Sequence, residues 1–194
     1  MSVAQAGFSL RLAGTVPGGT ATDRLHALVS ENSRAVWRFL CRLGLSEADA
    51  DDALQEVMLV AARRLEDIRP GKERAFLLSS AYRVAAAARR VRTRRQEVSA
   101  ELLLEMADPN PHPDSVLEQR RALRLLDEVL GQMSIERRAV FVAAEFEGLS
   151  LTEIAEVMGV PRGTAASRLR LAKEEFRARV ERLEAHHNPA RSGS

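Results

Sequence analysis

The chain has 194 residues, 45% of them hydrophobic, 29% charged and only 4% aromatic, with a formal net charge of +2. That length suits one large or two small domains, and the excess of Ala, Leu, Arg and Glu favours helix over a β-rich fold. Cys41 is the single cysteine, which excludes an intrachain disulfide, and no apolar run approaches the ~18 residues of a membrane span.

The N-terminus lacks a signal-peptide core, because Ser9, Arg11, Gly14 and Pro17 interrupt it. A cytoplasmic protein without membrane insertion is expected. The small net charge conceals segregation. Between Gly44 and Ala62 lie five acidic residues and no basic one, whereas Arg63 to Arg95 holds eleven basic and three acidic residues. An acidic block beside a basic block points to two different partners.

Residues 1–21, with Pro17-Gly18-Gly19, read as a flexible extension. Helix is expected from Thr22 or Asp23, where Leu25, Leu28, Val29, Val36, Phe39, Leu40 and Leu43 keep an approximate helical period, until Gly44 closes the segment. Ser46 with Asp49 then forms an S-x-x-D start for a second helix through Ala53, Leu54, Val57, Met58 and Ala61. The helix dipole favours acids in its first turn. It does not require five, and Asp52 and Glu56 lie one turn apart on one face.

Arg69-Pro70-Gly71-Lys72 reads as a turn, followed by a helix from about Glu73 to Arg95. The first half of that helix is apolar, its middle is Ala-rich and its end carries the arginines of Arg89 to Arg95. Arginines at that density exceed what capping needs and suit phosphate. Residues 96–114 read as a linker, because three prolines between Asp108 and Asp114 preclude helix. Periodicity returns over 115–185. Residues 186–194 read as a disordered tail.

Within the second half, Ser150 and Glu153 form a capping box, and Leu151, Ile154, Ala155 and Met158 share one face. Gly159 is placed to stop that helix and Pro161 to start the next. The following helix offers Arg162, Thr164, Ser167, Arg168 and Arg170 to solvent while Ala165, Leu169 and Ala172 pack. This is a helix-turn-helix with a basic second helix, the arrangement that sets side chains in a DNA major groove. The expected fold class is all-α, with two small helical domains, 22–95 and 115–185, joined by a Pro-containing linker.

No G-x-x-x-x-G-K-[ST], G-x-G-x-x-G or H-E-x-x-H spacing is present, and two of the four histidines, His186 and His187, sit in the tail. Neither catalysis nor a metal or other cofactor is expected.

Asp52-Ala-Leu-Gln-Glu56 resembles the D-L-x-Q-E/D segment of bacterial sigma-70 factors. The run from Met133 to Val142, the stretch Glu145 to Gly148, Ser150 to Gly159, and Gly163-Thr164 with Ser167-Arg168-Leu169 resemble their promoter-binding helix-turn-helix domain. Two domains in fewer than 200 residues are similar to the extracytoplasmic-function subfamily, which keeps regions two and four alone. The resemblance implies that Asp52, Gln55 and Glu56 dock on the clamp helices of the RNA polymerase β′ subunit. It implies that the turn and helix carrying Arg74, Phe76, Arg83, Arg89, Arg90, Arg92 and Arg94 open the −10 promoter element. It implies that Arg162, Thr164, Ser167, Arg168 and Arg170 read the −35 element. The implied partners are core RNA polymerase, including its β subunit, promoter DNA and, as is common in the family, an anti-sigma factor.

The chain departs from the family pattern at named positions. Phe76-Leu77 stands for the usual Trp-Leu, Arg83 for a common Asn, Ala85 to Ala88 for mixed residues, Ala165-Ala166 for Val-Lys, and Leu171 for Arg. Two rival readings remain. One is a stand-alone helix-turn-helix regulator, which residues 115–185 alone would permit. The other is an interaction or adaptor module whose basic surfaces serve protein partners.

Overall fold

The computed structural model describes residues 19–98, 123 and 125–187, with the course of the chain alone at 19–20, 92–98 and 184–187. Among the described residues all regular structure is helical. The helices are α1 (Gly19–Arg42), α2 (Glu47–Arg63), a 3-10 turn (Leu65–Asp67), α3 (Glu73–Val98), α4 (125–131), α5 (Ile135–Glu145), α6 (Leu151–Met158) and α7 (Arg162–His187). The all-α class expected from composition is the class observed. Residues 1–18, most of the proposed linker and 188–194 lie outside the described residues. Helix α1 opens at Gly19, ahead of the expected Thr22, and α7 runs to His187, into the segment read as tail.

Helices α1, α2 and α3 form one packed group. Val36, Phe39, Leu40 and Leu43 of α1, Val57 and Ala61 of α2, and Leu77, Leu78 and Ala81 of α3 are all buried. Small residues permit the close approach of α3. Ala81 and Ala85 are wholly buried, whereas Ala87 and Ala88 on the same helix are exposed. The Ala-rich middle is therefore half packing surface and half solvent face. Arg24 ties the start of α1 to the turn before α3, donating to the Leu65 carbonyl at 3.1 Å and to the Ile68 carbonyl, and pairing with Glu73 at 3.3 Å.

Helices α4 to α7 form the second group. Phe141 of α5 stacks on Phe176 of α7 with centroids 4.6 Å apart, and Ile154, Val157 and Met158 bury the inner face of α6. The capping box of α6 forms as expected: the Glu153 N–H donates to the Ser150 hydroxyl at 3.3 Å, and the Ser150 N–H donates to the Glu153 carboxylate at 2.9 Å. Gly159 ends α6 at φ +63°, ψ +39°, and the Val160 N–H reaches back to the Ala155 carbonyl at 3.1 Å. A left-handed residue there costs little only because it is glycine.

The two groups pack on one another, and their buried apolar side chains form one contiguous cluster. Helix α3 lies against α6, and the end of α1 meets α5. This apposition brings the candidate surfaces into one frame.

Candidate nucleic-acid and partner interfaces

The acidic stripe is set by the pitch of α2. Ala53, Val57 and Ala61 face the core, so Asp52, Gln55 and Glu56 emerge on the opposite face, and all three are exposed. The five acids of this segment are not equivalent. Asp49 accepts from the Ser46 hydroxyl at 2.7 Å at the helix start, and Asp51 accepts from the Trp37 indole N–H at 2.8 Å. Among the described residues Asp52 and Glu56 enter no ion pair within the chain, so their charge is open to a basic partner. They border a groove of about 720 Å³, whose other walls include Asp49, Val84, Ala88 and Arg138.

The basic residues of α3 divide into two sets. Arg83 and Arg90 are exposed and lie seven residues, close to two turns, apart on one face. Their local bonds hold them along the helix: Arg83 donates to the Ser79 hydroxyl at 2.8 Å and Arg90 to the Ala86 carbonyl at 3.2 Å. Phe76 is half-buried against the core. Arg74 and Arg89 turn toward the second helical group instead. Arg74 pairs with Glu147 at 2.7 Å, and Arg89 donates to the Met133 carbonyl at 3.0 Å. The side chains of Arg92 and Arg94 lie outside the described residues.

On α7, Arg162 and Ser167 are exposed and Thr164 and Arg168 half-exposed, while Ala165 and Ala172 are buried on the inner face. Ser167 donates its hydroxyl back to the Thr164 carbonyl at 3.0 Å, and Arg170 pairs with Glu174 at 2.7 Å. Around the phenol of Tyr82 on α3, burial and then Glu136 push its pKa up, and Arg168 and Arg90 oppose the rise. The charges of Arg90 on α3 and Arg168 on α7, one from each candidate set, thus act on one side chain.

Sequence reasoning missed the residues that join the groups. Glu147, only 3% exposed at its side chain, receives Arg74 at 2.7 Å and Arg42 at 3.5 Å. Its position is fixed by a turn in which the Glu147 N–H donates to the Val142 carbonyl at 3.2 Å and the Leu149 N–H to the Ala143 carbonyl at 3.0 Å. The Arg42 guanidinium also lies over the Phe146 ring, 4.4 Å from its centroid. Buried Arg138 donates to the Arg42 carbonyl, one of the acceptors a helix end leaves without an intrahelical partner. Lys72 pairs with Glu156 at 3.1 Å across the same seam. No local spacing marks these residues, since their partners lie 73 to 105 positions away.

Cys41 packs at the core edge, and burial, with help from Glu47 and Asp51, pushes its thiol pKa up, the opposite of an activated thiolate. Among the described residues no group of three His, Cys, Asp or Glu side chains is placed to hold a metal, and no helix is long and apolar enough to cross a membrane.

Residues 28–95 match the family model for sigma-70 region 2, and residues 123–176 match that for sigma-70 region 4. The chain belongs to the extracytoplasmic-function group of the sigma-70 family. It is 31% identical over 174 residues to the ECF RNA polymerase sigma factor SigL of Mycobacterium tuberculosis, which covers 87% of this chain and 96% of SigL. It is 28% identical over 152 residues to the ECF sigma factor SigE of Mycolicibacterium smegmatis, covering 77% of this chain and 59% of SigE, so it spans less than two thirds of that relative. Among solved structures, the sigma factor RpoE in complex with the anti-sigma factor NepR from Bartonella quintana shares the fold. Its TM-score is 0.64 at 19% identity, over 79% of this chain and 94% of that one. In this family's terms α1 to α3 lie in region 2, and α5, α6 and the first part of α7 lie in region 4.

Proposed function

We propose that this sigma factor joins core RNA polymerase through the exposed stripe Asp52, Gln55 and Glu56, meets the −10 element with the face of α3 that carries Arg83 and Arg90, and reads the −35 element with the start of α7. Arg162, Thr164, Ser167 and Arg168 are the α7 side chains offered to bases and phosphates, and Arg170 contributes after release from Glu174. Arg74, Phe76, Arg89, Arg92 and Arg94 complete the −10 set. A bidentate contact from an arginine to guanine contributes about 1–3 kcal/mol of discrimination. Residues 22–95 and 115–185 act as the two functional domains, with 96–114 as their tether. The protein acts in the cytoplasm and is non-catalytic, since polymerase supplies the chemistry.

The observation that carries this reading is the unneutralised pair Asp52 and Glu56 on α2, in the same chain as a capped helix-turn-helix. A stand-alone DNA-binding regulator has no use for such a stripe. The test is a pull-down of core polymerase, followed by transcription in vitro from a genomic promoter library. Wild type is expected to hold polymerase and give discrete start sites, and an Asp52→Asn, Glu56→Gln variant to lose polymerase at moderate salt while keeping its helical content. Failure of wild type to bind polymerase would favour the regulator reading.

A further inference from the structure

We propose that Leu171 is a specificity-determining residue of α7, reading a thymine of the −35 element by apolar contact with its 5-methyl group. The inference rests on the reading above that the start of α7 meets the −35 element, and it names the base chemistry read there.

One face of α7 is committed to the core. Ala165 and Ala172 are buried there, and Leu169 and Phe176 pack against the same cluster. At ~100° per residue, Leu171 stands roughly 130° round the axis from that stripe. It is 37% exposed, whereas Leu169, two residues before it, packs on the core. Thr164, Ser167 and Leu171 follow at i, i+3 and i+7, so they form one outward line, with Ser167 exposed and Thr164 half-exposed. Over seven residues that line is ~10.5 Å long, or about three base-pair steps of ~3.4 Å. Arg168 lies at its edge, between it and the buried stripe, and suits a flanking phosphate. Glu174 follows Leu171 on the same side, and its carboxylate marks where the face open to a polyanion ends.

A single surface leucine is ordinary, and its surroundings set this one apart. The Ser167 hydroxyl gives its hydrogen to the Thr164 carbonyl at 3.0 Å, so toward an outside partner it presents an acceptor oxygen and a methylene. Arg170, the cation next to Leu171, pairs with Glu174 at 2.7 Å. Leu171 and Ala166 also stand where the family pattern carries Arg and Lys, so two cations are absent from this helix. The line therefore holds no guanidinium fork for the O6 and N7 acceptors of guanine. It offers instead a branched aliphatic tip one turn from a serine and two turns from the methyl of Thr164. Thymine is the one base that carries a methyl group into the major groove, and apolar side chains recognise it there. The chemistry of the line thus matches an A·T pair at the position Leu171 meets, with the methyl as the group that is read.

The test uses holoenzyme assembled from the full chain and core polymerase, on a promoter recovered by transcription from a genomic library. Each thymine of the −35 element, on either strand, is replaced in turn by deoxyuridine, which pairs alike and lacks only the 5-methyl group. Wild type is expected to lose affinity about fourfold at one position, equivalent to ~0.8 kcal/mol for one buried methyl. Leu171→Ala is expected to weaken binding to the thymine promoter by at least that factor and to lose nothing further on that uracil. Leu171→Met, which keeps an apolar tip, is expected to retain the methyl effect. Both variants should unfold in urea at the wild-type midpoint, because Leu171 lies off the buried stripe. A −35 element without thymine, uracil without effect at every thymine, or a methyl effect that survives in Leu171→Ala overturns the proposal. A promoter with a scrambled −35 element separates this failure from that of the reading beneath it. If scrambling leaves affinity unchanged, α7 does not read the element and both fall. If scrambling weakens binding while uracil does not, the role of Leu171 alone falls.

Discussion

Gly44 offers a way to measure what holds the two helical groups together, because two separate costs meet at one atom. Its backbone lies at φ +100°, where a side chain is strained, and a Cβ would stand 2.8 Å from Nη1 of Arg138. Gly71 lies at φ +80° with nothing within 4 Å of its Cβ position, so Gly71→Ala isolates the backbone cost alone. That cost is ~1–2 kcal/mol. Gly44→Ala adds displacement of a buried guanidinium from the Arg42 carbonyl, and loss of a charge-assisted hydrogen bond contributes a further ~1.5–3 kcal/mol. The expected total of ~2.5–5 kcal/mol is a large part of a typical domain stability of ~5–15 kcal/mol. Equilibrium urea unfolding of Gly44→Ala, Gly71→Ala, Arg138→Ala and the Gly44→Ala, Arg138→Ala double variant checks it. In the Arg138→Ala background, Gly44→Ala should cost no more than Gly71→Ala does in wild type. If Gly44→Ala costs the same with and without Arg138, the guanidinium is not what fills the space above Gly44, and the account of this seam fails.

Three other expectations concern the surfaces and the region 4 frame. Replacing Arg83 and Arg90 by Ala should lower the slope of log affinity against log salt for holoenzyme on promoter DNA by about 1.8, the value for two lost phosphate contacts; an unchanged slope would place the DNA face of α3 elsewhere. Ser150→Ala removes the N-cap of α6 and should cost ~1 kcal/mol in urea unfolding, with −35 binding weakened in parallel. Glu175 tests the pH dependence of region 4. Burial pushes its pKa up, but hydrogen bonds from Arg137 at 2.8 Å and Arg179 at 2.6 Å outweigh burial and leave the carboxyl below its ordinary value. A depressed folded pKa stabilises the protein above the unfolded value, with the contribution lost as pH falls through the folded one. Glu175→Gln should therefore be less stable than wild type at neutral pH, and the gap should narrow once acid protonates Glu175 in both states.

The parts of this protein legible in its sequence are those encoded by neighbours along the chain. The Ser46–Asp49 start, the Ser150–Glu153 box, the Gly159 stop and the turn closed by the Lys72 N–H on the Arg69 carbonyl involve residues at most four apart, and each appears where its spacing predicts. The apolar period of α1 likewise gives the buried set Leu28, Val36, Phe39, Leu40 and Leu43. The joining of the halves was not legible. Nothing in the Glu145-Phe-Glu-Gly148 stretch sets Glu147 apart from Glu145, and only a fold that brings Arg42 and Arg74 beside it makes it buried. The basic block of 63–95 reads as one surface, but α3 sends Arg83 and Arg90 one way and Arg74 and Arg89 another, because a helix distributes its charges around its axis and a sequence count does not.

That division constrains how strongly the seam between the two helical groups is held. The exposed Lys72–Glu156 pair supplies at most ~1 kcal/mol, since surface ion pairs gain little over their hydration. Glu147 weighs more, because its buried carboxylate is the shared partner of Arg42 and Arg74 and removing one member of such a set leaves the others uncompensated. Arg42 and Arg74 are themselves partly exposed, so water recovers some of what they lose. Glu147→Leu should therefore cost ~1–3 kcal/mol in equilibrium urea unfolding. Glu147→Leu combined with Arg74→Leu removes the acid and one of its cations together, and should cost less than the sum of the two single variants. Costs that add without coupling would mean that shape and apolar contact, not charge, hold the two groups together.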